Sequence, residues 1–198
     1  MTHALIVIDV QNDFLPGGAL GVPQGDAVLK GINALMPEFD AVVLTQDWHP
    51  AGHLSFASSH ADKTPYELIT MPYGPQVLWP DHCIQGSIGA QFHPDLQIDR
   101  ADMIIRKGYN PDIDSYSAFF ENDHRTPTGL EGYLRTRGIE RLTMVGLALD
   151  FCVNFSAVDA AKLGFEVEVR EDLCRAIDLD GSLAKAREGM RAAGVTLV

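Results

Sequence analysis

Apolar residues fall along this chain in short continuous runs separated by amphipathic stretches. Ala4-Leu-Ile-Val-Ile8, closed by Asp9, has the unbroken pattern of a strand buried on both faces. Asp26–Pro37 places Val28, Leu29, Ile32, Leu35 and Met36 on one side of a helix. Ala41–Thr45 is the next strand, followed by a His/Pro/Gly/Ser-rich stretch from Gln46 to about Gln97. Met103–Arg106 is a third strand, closed by Lys107. Thr128–Arg137 is a helix with Thr128 as N-cap and Gly138 as its stop. Arg141–Leu147 is a fourth strand, and a helix from Phe151 to Leu163 carries Cys152 in its first turn. Phe165–Arg170, a helix over Ser182–Ala193 and a short strand Val195–Val198 complete the pattern.

Strands of this kind alternating with amphipathic helices predict an α/β fold. The expected form is a single domain over residues 1–198, with three α/β/α layers. Its sheet has six strands, mostly parallel, with helices on both faces. No internal repeat or interdomain linker interrupts it. The stretch 46–97 is too long for a mere connection, and such loops are usually functional. In an open parallel sheet, ligands bind beyond the carboxyl ends of the strands. Asp9, Asp47, Lys107 and Cys152 all follow strand ends, so all four are expected on one rim.

The 198 residues are 46% hydrophobic and 21% charged, which suits a chain with a substantial core. The formal net charge of −12 argues against nucleic acid, because phosphate binding needs a basic face. No apolar stretch approaches a membrane span. The first strand begins almost at the first residue, so no signal peptide is expected. Three cysteines, Cys83, Cys152 and Cys174, without CxxC spacing suit a reducing cytoplasm.

Two constellations carry chemistry. A thiol at a helix N-terminus is favoured as thiolate by the free N–H groups there. Asp9 would take the proton of Cys152 and pass it to a leaving amine, and Lys107 would stabilise both charges. Taken singly, each residue has a plainer role: a core thiol, a turn carboxylate, a solvated amine. Their shared strand-end placement favours the catalytic role. Cys83 and Cys174 lack such company and are read as structural. The second constellation is Asp47-Trp-His49 with His82 downstream. In extended chain, residues i and i+2 point the same way, so Asp47 and His49 can share a metal that His82 also binds. One carboxylate and two imidazoles leave positions open, as in catalytic sites, and suit Zn²⁺, Mn²⁺ or Fe²⁺. A structural site would be closed by four protein ligands. His53 and His60 lie nearby; His3, His93 and His124 have no identifiable partners. Phe14, Trp79, Tyr109, Tyr116 and Phe119 could stack on a flat ring, with Tyr109 and Phe119 assigned to loop packing.

Four ordered phrases resemble nicotinamidases of the isochorismatase-like cysteine hydrolases. They are Ile8-Asp-Val-Gln-Asn-Asp-Phe14, Thr45-Gln-Asp-Trp-His-Pro-Ala-Gly-His-Leu-Ser-Phe56, Trp79-Pro-Asp-His-Cys-Ile-Gln85 and Val145-Gly-Leu-Ala-Leu-Asp-Phe-Cys-Val153. The resemblance runs through nearly the whole chain. It implies Asp9, Lys107 and Cys152 as the triad and Asp47, His49 and His82 as ligands of one divalent metal, zinc first. It implies a nicotinamide ring among Phe14, Trp79 and Tyr116, with its nitrogen on the metal. It implies an oxyanion hole from the N–H groups of Ala148 and Cys152, aided by a cis peptide within 146–149. His53 is expected outside the metal's ligand shell, because the HxSF phrase recurs in members with three protein ligands. Many relatives have Thr where this chain has Leu149.

The expected function is metal-dependent hydrolysis of nicotinamide, and of pyrazinamide, through a thioester. The expected partners are the small-molecule substrate and, as a homo-oligomer, further copies of the chain, with no nucleic acid or membrane. Two alternatives are an amidohydrolase for carbamoyl or ureido substrates and a non-catalytic binding module. The second conflicts with the retention of all three triad residues.

Overall fold

The computed structural model describes residues 2–198. In chain order its elements are β1 (Thr2–Ile8), α1 (Leu29–Leu35), β2 (Ala41–Asp47), β3 (Leu68–Met71), β4 (Gly74–Val77) and β5 (Met103–Lys107). They continue with α2 (Leu130–Thr136), β6 (Ile139–Leu147), α3 (Asn154–Lys162), β7 (Glu166–Arg175), α4 (Ser182–Ala192) and β8 (Thr196–Leu197). Six strands form one sheet in the order β5-β2-β1-β6-β7-β8. Every neighbouring pair in it is parallel.

Strand alternation divides the core. Ala4, Ile6 and Ile8 of β1 face Leu130 and Leu134 of α2, Ala157 and Ala160 of α3, and Ala186 and Met190 of α4. Leu5 and Val7 face Leu29 and Ile32 of α1. Burying each larger side chain stabilises by roughly 1.5–3 kcal/mol. The result is the expected three-layer sandwich. Strand order reverses at β1, whose neighbours β2 and β6 diverge to opposite sides. That reversal is where open α/β sheets hold ligands.

Several boundaries differ from the hydrophobic pattern. The helix expected over Asp26–Pro37 is α-helical only at Leu29–Leu35, flanked by tighter 3₁₀ turns. Pro37 accounts for its end, having no N–H to continue the ladder. The helix of Cys152 is two pieces: a π-helical turn over Leu149–Val153, then α3. β7 continues through Glu171 and Asp172 to Arg175, past a register shift opposite Met144 and Gly146. The long stretch 46–97 contains an antiparallel hairpin, β3–β4, that no pattern announced. Its strands have four residues each, and one includes Pro75, which breaks the usual strand signal. Among the described residues, no helix is long and apolar enough to cross a membrane.

Candidate active site

Parallel register assembles the site. Asp47 and Lys107 are the last residues of β2 and β5 and lie opposite one another. Asp9 follows β1 directly, with its backbone in the left-handed region (φ 48°). Thr45 of β2 holds it there. The Thr45 hydroxyl donates to Asp9 Oδ1 (2.6 Å) and accepts from the Asp9 N–H (3.1 Å). Gln11 clamps Asp47 similarly: its amide donates to the Asp47 carbonyl and accepts from the Asp47 N–H, both at 2.8 Å.

Lys107 is 1% exposed, and its ammonium is the hub. Nζ donates to Asp47 Oδ1 (2.5 Å) and the Ser115 carbonyl (3.0 Å), and lies 3.5 Å from Cys152 Sγ. It also lies 2.8 Å from Asp9 Oδ2. That contact is an ion pair without hydrogen-bond alignment, so the buried Oδ2 has no directed partner. The oxygen is therefore able to accept a proton from the neighbouring thiol.

Burial pushes the Cys152 thiol well above its ordinary value; Lys107 pulls it down, but Asp9 and Asp47 push it up again. Burial also raises Asp9, against the pull of Lys107. For Asp47 burial is outweighed by Lys107 and His49, and the carboxyl is held well below its ordinary range. Burial opposes the charge on Lys107, yet Asp47 and Asp9 hold its pKa well above the usual value.

Beside this group, Asp47, His49 and His82 present donor atoms that all lie within 4.8 Å of one another. His49 Nε2 is 3.6 Å and His82 Nε2 3.8 Å from Asp47 Oδ2. Carbonyl oxygens fix both rings from behind: Gly108 O binds His49 Nδ1 and Pro80 O binds His82 Nδ1, each at 2.8 Å. Each Nδ1 thus carries the proton, and each Nε2 turns a lone pair inward. Gly108 (φ 67°) makes room, since a Cβ there would lie 2.5 Å from His49 Cε1. His49 Nε2 is buried without any hydrogen-bond partner. Although burial opposes it, Asp47 raises the proton affinity of His49, so the site favours positive charge at that atom. An orphaned imidazole nitrogen facing a carboxylate and a second imidazole fits a divalent metal ion.

His53, whose ring lies near His49 and Asp114, already uses both nitrogens. Its Nδ1 accepts from the Ser55 N–H (3.0 Å) and contacts Ser55 Oγ (2.8 Å), while Nε2 donates to the Asn110 carbonyl (2.7 Å). His60 Nε2 bonds the Leu54 carbonyl (2.8 Å).

A small pocket opens beside both groups. Phe14, Trp79, Tyr116, Asp47, His82, Ala148 and Cys152 line it. Leu20, Asp114, Phe151 and Ile177 line it as well and were not anticipated. Phe151 stands edge-on to Trp79 (4.9 Å between centroids), and Trp79 Nε1 donates to Tyr116 Oη (3.0 Å). Asp114, buried beside the pocket, has Oδ1 3.9 Å from His49 Nε2. Phe119 packs against Phe165 in the core and Tyr109 is half exposed, so neither joins the pocket. The Leu147–Ala148 peptide is cis, within the segment where the resemblance implied one. The Ala148 carbonyl receives the N–H groups of Phe151 and Val153. Thr45, Gln11, Asp114 and Phe151 carry no spacing signal of their own. Only their adjacency to Asp9, Asp47 and Cys152 could have suggested them.

Residues 3–198 match the family profile described as the Isochorismatase domain. A nicotinamidase of Acinetobacter baylyi is 54% identical over 192 residues, covering 97% of this chain and 90% of the relative. A solved structure described as an Acinetobacter baumanii nicotinamidase/pyrazinamidase is 55% identical with a TM-score of 0.98, covering 100% of this chain and 95% of the other. The pyrazinamidase of Pyrococcus horikoshii, solved in complex with zinc, is 36% identical with a TM-score of 0.79, covering 100% and 99%.

Proposed function

This chain belongs to the isochorismatase family, and on that premise we propose that it hydrolyses nicotinamide to nicotinate and ammonia, accepting pyrazinamide as well. The supporting observation is the buried meeting of the Cys152 thiol, the Asp9 carboxylate and the Lys107 ammonium beside an inward-facing Asp/His/His set, with Cys152, Asp47 and His82 lining one pocket. The relatives named nicotinamidase add weight to it.

Cys152 is the nucleophile in this proposal. The thiol proton passes to Asp9, whose Oδ2 has no directed partner, as sulfur attacks the amide carbon. The oxyanion forms against the N–H groups of Ala148 and Cys152. Asp9 then gives the proton to the amide nitrogen, the C–N bond breaks, and ammonia leaves a thioester. Water, deprotonated by Asp9, attacks that thioester. Nicotinate departs and the proton returns to sulfur. The Lys107 ammonium keeps the negative charge tolerable at each stage, and Phe14, Trp79 and Tyr116 hold the ring.

Asp47, His49 and His82 would hold one divalent metal ion. Zinc is the first assignment, on the donor set and the zinc-bound relative; manganese and iron suit the same donors. Bound there, the ion supplies positive charge that anchors a ring nitrogen and draws electron density from the carboxamide. A carbamoyl or ureido substrate would leave the aromatic walls without use. Three free, buried cysteines suit a cytoplasmic enzyme.

The test is ammonia release from nicotinamide before chelation, after it, and on metal add-back. The proposal expects loss and recovery. It also expects no turnover from Cys152→Ala, and retained activity in that variant would refute the nucleophile.

A further inference from the structure

Gln76 lies in β4, on the hairpin that forms no part of the main sheet. It is fully buried, 0% exposed. A glutamine sealed inside a hairpin must satisfy four hydrogen-bonding positions, and its partners show what it does. Asn122 Nδ2 and Tyr73 Oη both donate to Gln76 Oε1, each at 3.1 Å. Those two donors settle which way the amide faces. Its NH₂ end therefore turns inward, 2.9 Å from Asp114 Oδ2 and 2.9 Å from Tyr116 Oη. The Val77 carbonyl lies 2.8 Å from the same nitrogen and shares its protons.

Both inward partners line the pocket. Asp114 Oδ1 sits 3.9 Å from the orphaned His49 Nε2. Oδ1 already accepts the Ser115 N–H (2.8 Å), so Gln76 is the side chain that steadies the other oxygen. Tyr116 Oη accepts from Gln76 and from Trp79 Nε1, which occupies both of its lone pairs and fixes the ring's tilt against Trp79. Asn122 extends the same network, its Oδ1 accepting the Tyr116 N–H (3.0 Å).

We infer that Gln76 is a positioning residue, through which the β3–β4 hairpin sets the placement of Asp114 beside the metal-binding donors and of Tyr116 on the pocket wall. This rests on the proposed function for its kinetic consequence but not for its structural one. Without the amide, Asp114 is free to turn toward His49, and Tyr116 loses one of the two donors that orient it.

The variant is Gln76→Met, which keeps the chain length and most of the volume but donates and accepts nothing comparable. Metal-free protein is titrated with Zn²⁺ against a chromophoric chelator. Trp79 emission is read in a Trp48→Phe background, and KM and kcat are measured with nicotinamide. The inference expects zinc affinity weaker by up to about tenfold, the lower end for groups bonded directly to metal ligands, a displaced Trp79 emission maximum, and a KM that rises more than kcat falls. A purely structural glutamine would lower the melting temperature and leave these untouched, and that result overturns the inference. If Gln76→Met does not fold, Tyr73→Phe removes one of the bonds fixing the amide. It should move zinc affinity and emission in the same direction by less, and no movement overturns the inference. A wild-type protein that takes up no zinc would defeat the proposed metal site instead. Trp79 emission would then decide alone, a displacement supporting the role of Gln76 and its absence overturning it.

Discussion

Thr45→Val isolates the setting of the proposed base. Valine preserves the shape of threonine and removes its hydroxyl. In the wild type that hydroxyl donates to Asp9 Oδ1 at 2.6 Å, and both residues are 0% exposed, so no solvent replaces it. A hydrogen bond to a charged group contributes about 1.5–3 kcal/mol. It favours the carboxylate form of Asp9, so its loss pushes that carboxyl further above its ordinary value, in the direction burial already drives it. At 1.36 kcal/mol per pH unit, the displacement is about one to two units. Asp9 acts as base only when ionised. The acid limb of kcat/KM against pH should therefore move to higher pH by about that amount. The limb belongs to the coupled Asp9–Lys107–Cys152 cluster, and the prediction concerns its displacement. The orphaned Asp9 N–H also costs stability, about 1–3 kcal/mol, and the melting temperature should fall by several degrees. The assay is ammonia release from nicotinamide over acid to neutral pH for wild type, Thr45→Val and Thr45→Ser. The serine variant keeps the hydroxyl and should keep the wild-type limb. A valine variant that melts lower but shares the wild-type limb would refute Asp9 as the base.

Lys107→Met strands two buried carboxylates and should cost about 3–5 kcal/mol in urea unfolding; a loss under about 1 kcal/mol, typical of exposed pairs, would contradict the buried hub. Burial, with Asp9 and Asp47, pushes the Cys152 thiol well above its ordinary value. Its alkylation by iodoacetamide should keep accelerating beyond the pH where an ordinary thiol levels off, whereas an early plateau would restore the thiolate. His49→Asn should abolish zinc uptake by the purified protein while His53→Asn retains it, since both nitrogens of His53 are already bonded. Equal loss in both, measured as zinc per chain, would place His53 among the ligands.

The sheet was legible because its strands are long, apolar and buried on both faces, and such runs admit few other structures. The rim followed from topology: Asp47 and Lys107 end strands, Asp9 follows one directly, Cys152 lies in the turn beyond β6, and parallel strands put those ends together. Alternation showed that Asp47 and His49 point the same way, while the ligand role came from the resemblance. The upward push on the Cys152 thiol was not legible, because it comes from burial and from two carboxylates brought in from other strands. The hairpin escaped because four-residue strands carry too few positions to display a period. Asp114 and Gln76 escaped for a related reason: they act across 38 residues of sequence, joined only by the packing of the hairpin. Thr45 was hidden in plain view, as one more β-branched residue in a strand.

The two oxygens of Asp47 face different neighbours. One grips Lys107, and the other faces the imidazoles. The ammonium and His82 therefore communicate without touching, through a shared anion with a fixed capacity. Substitutions on either side of it should be non-additive, and a double-mutant cycle between Lys107 and His82 should yield a sizeable coupling energy. Evolution or engineering cannot retune the sulfur end of this pocket while holding the histidine end constant.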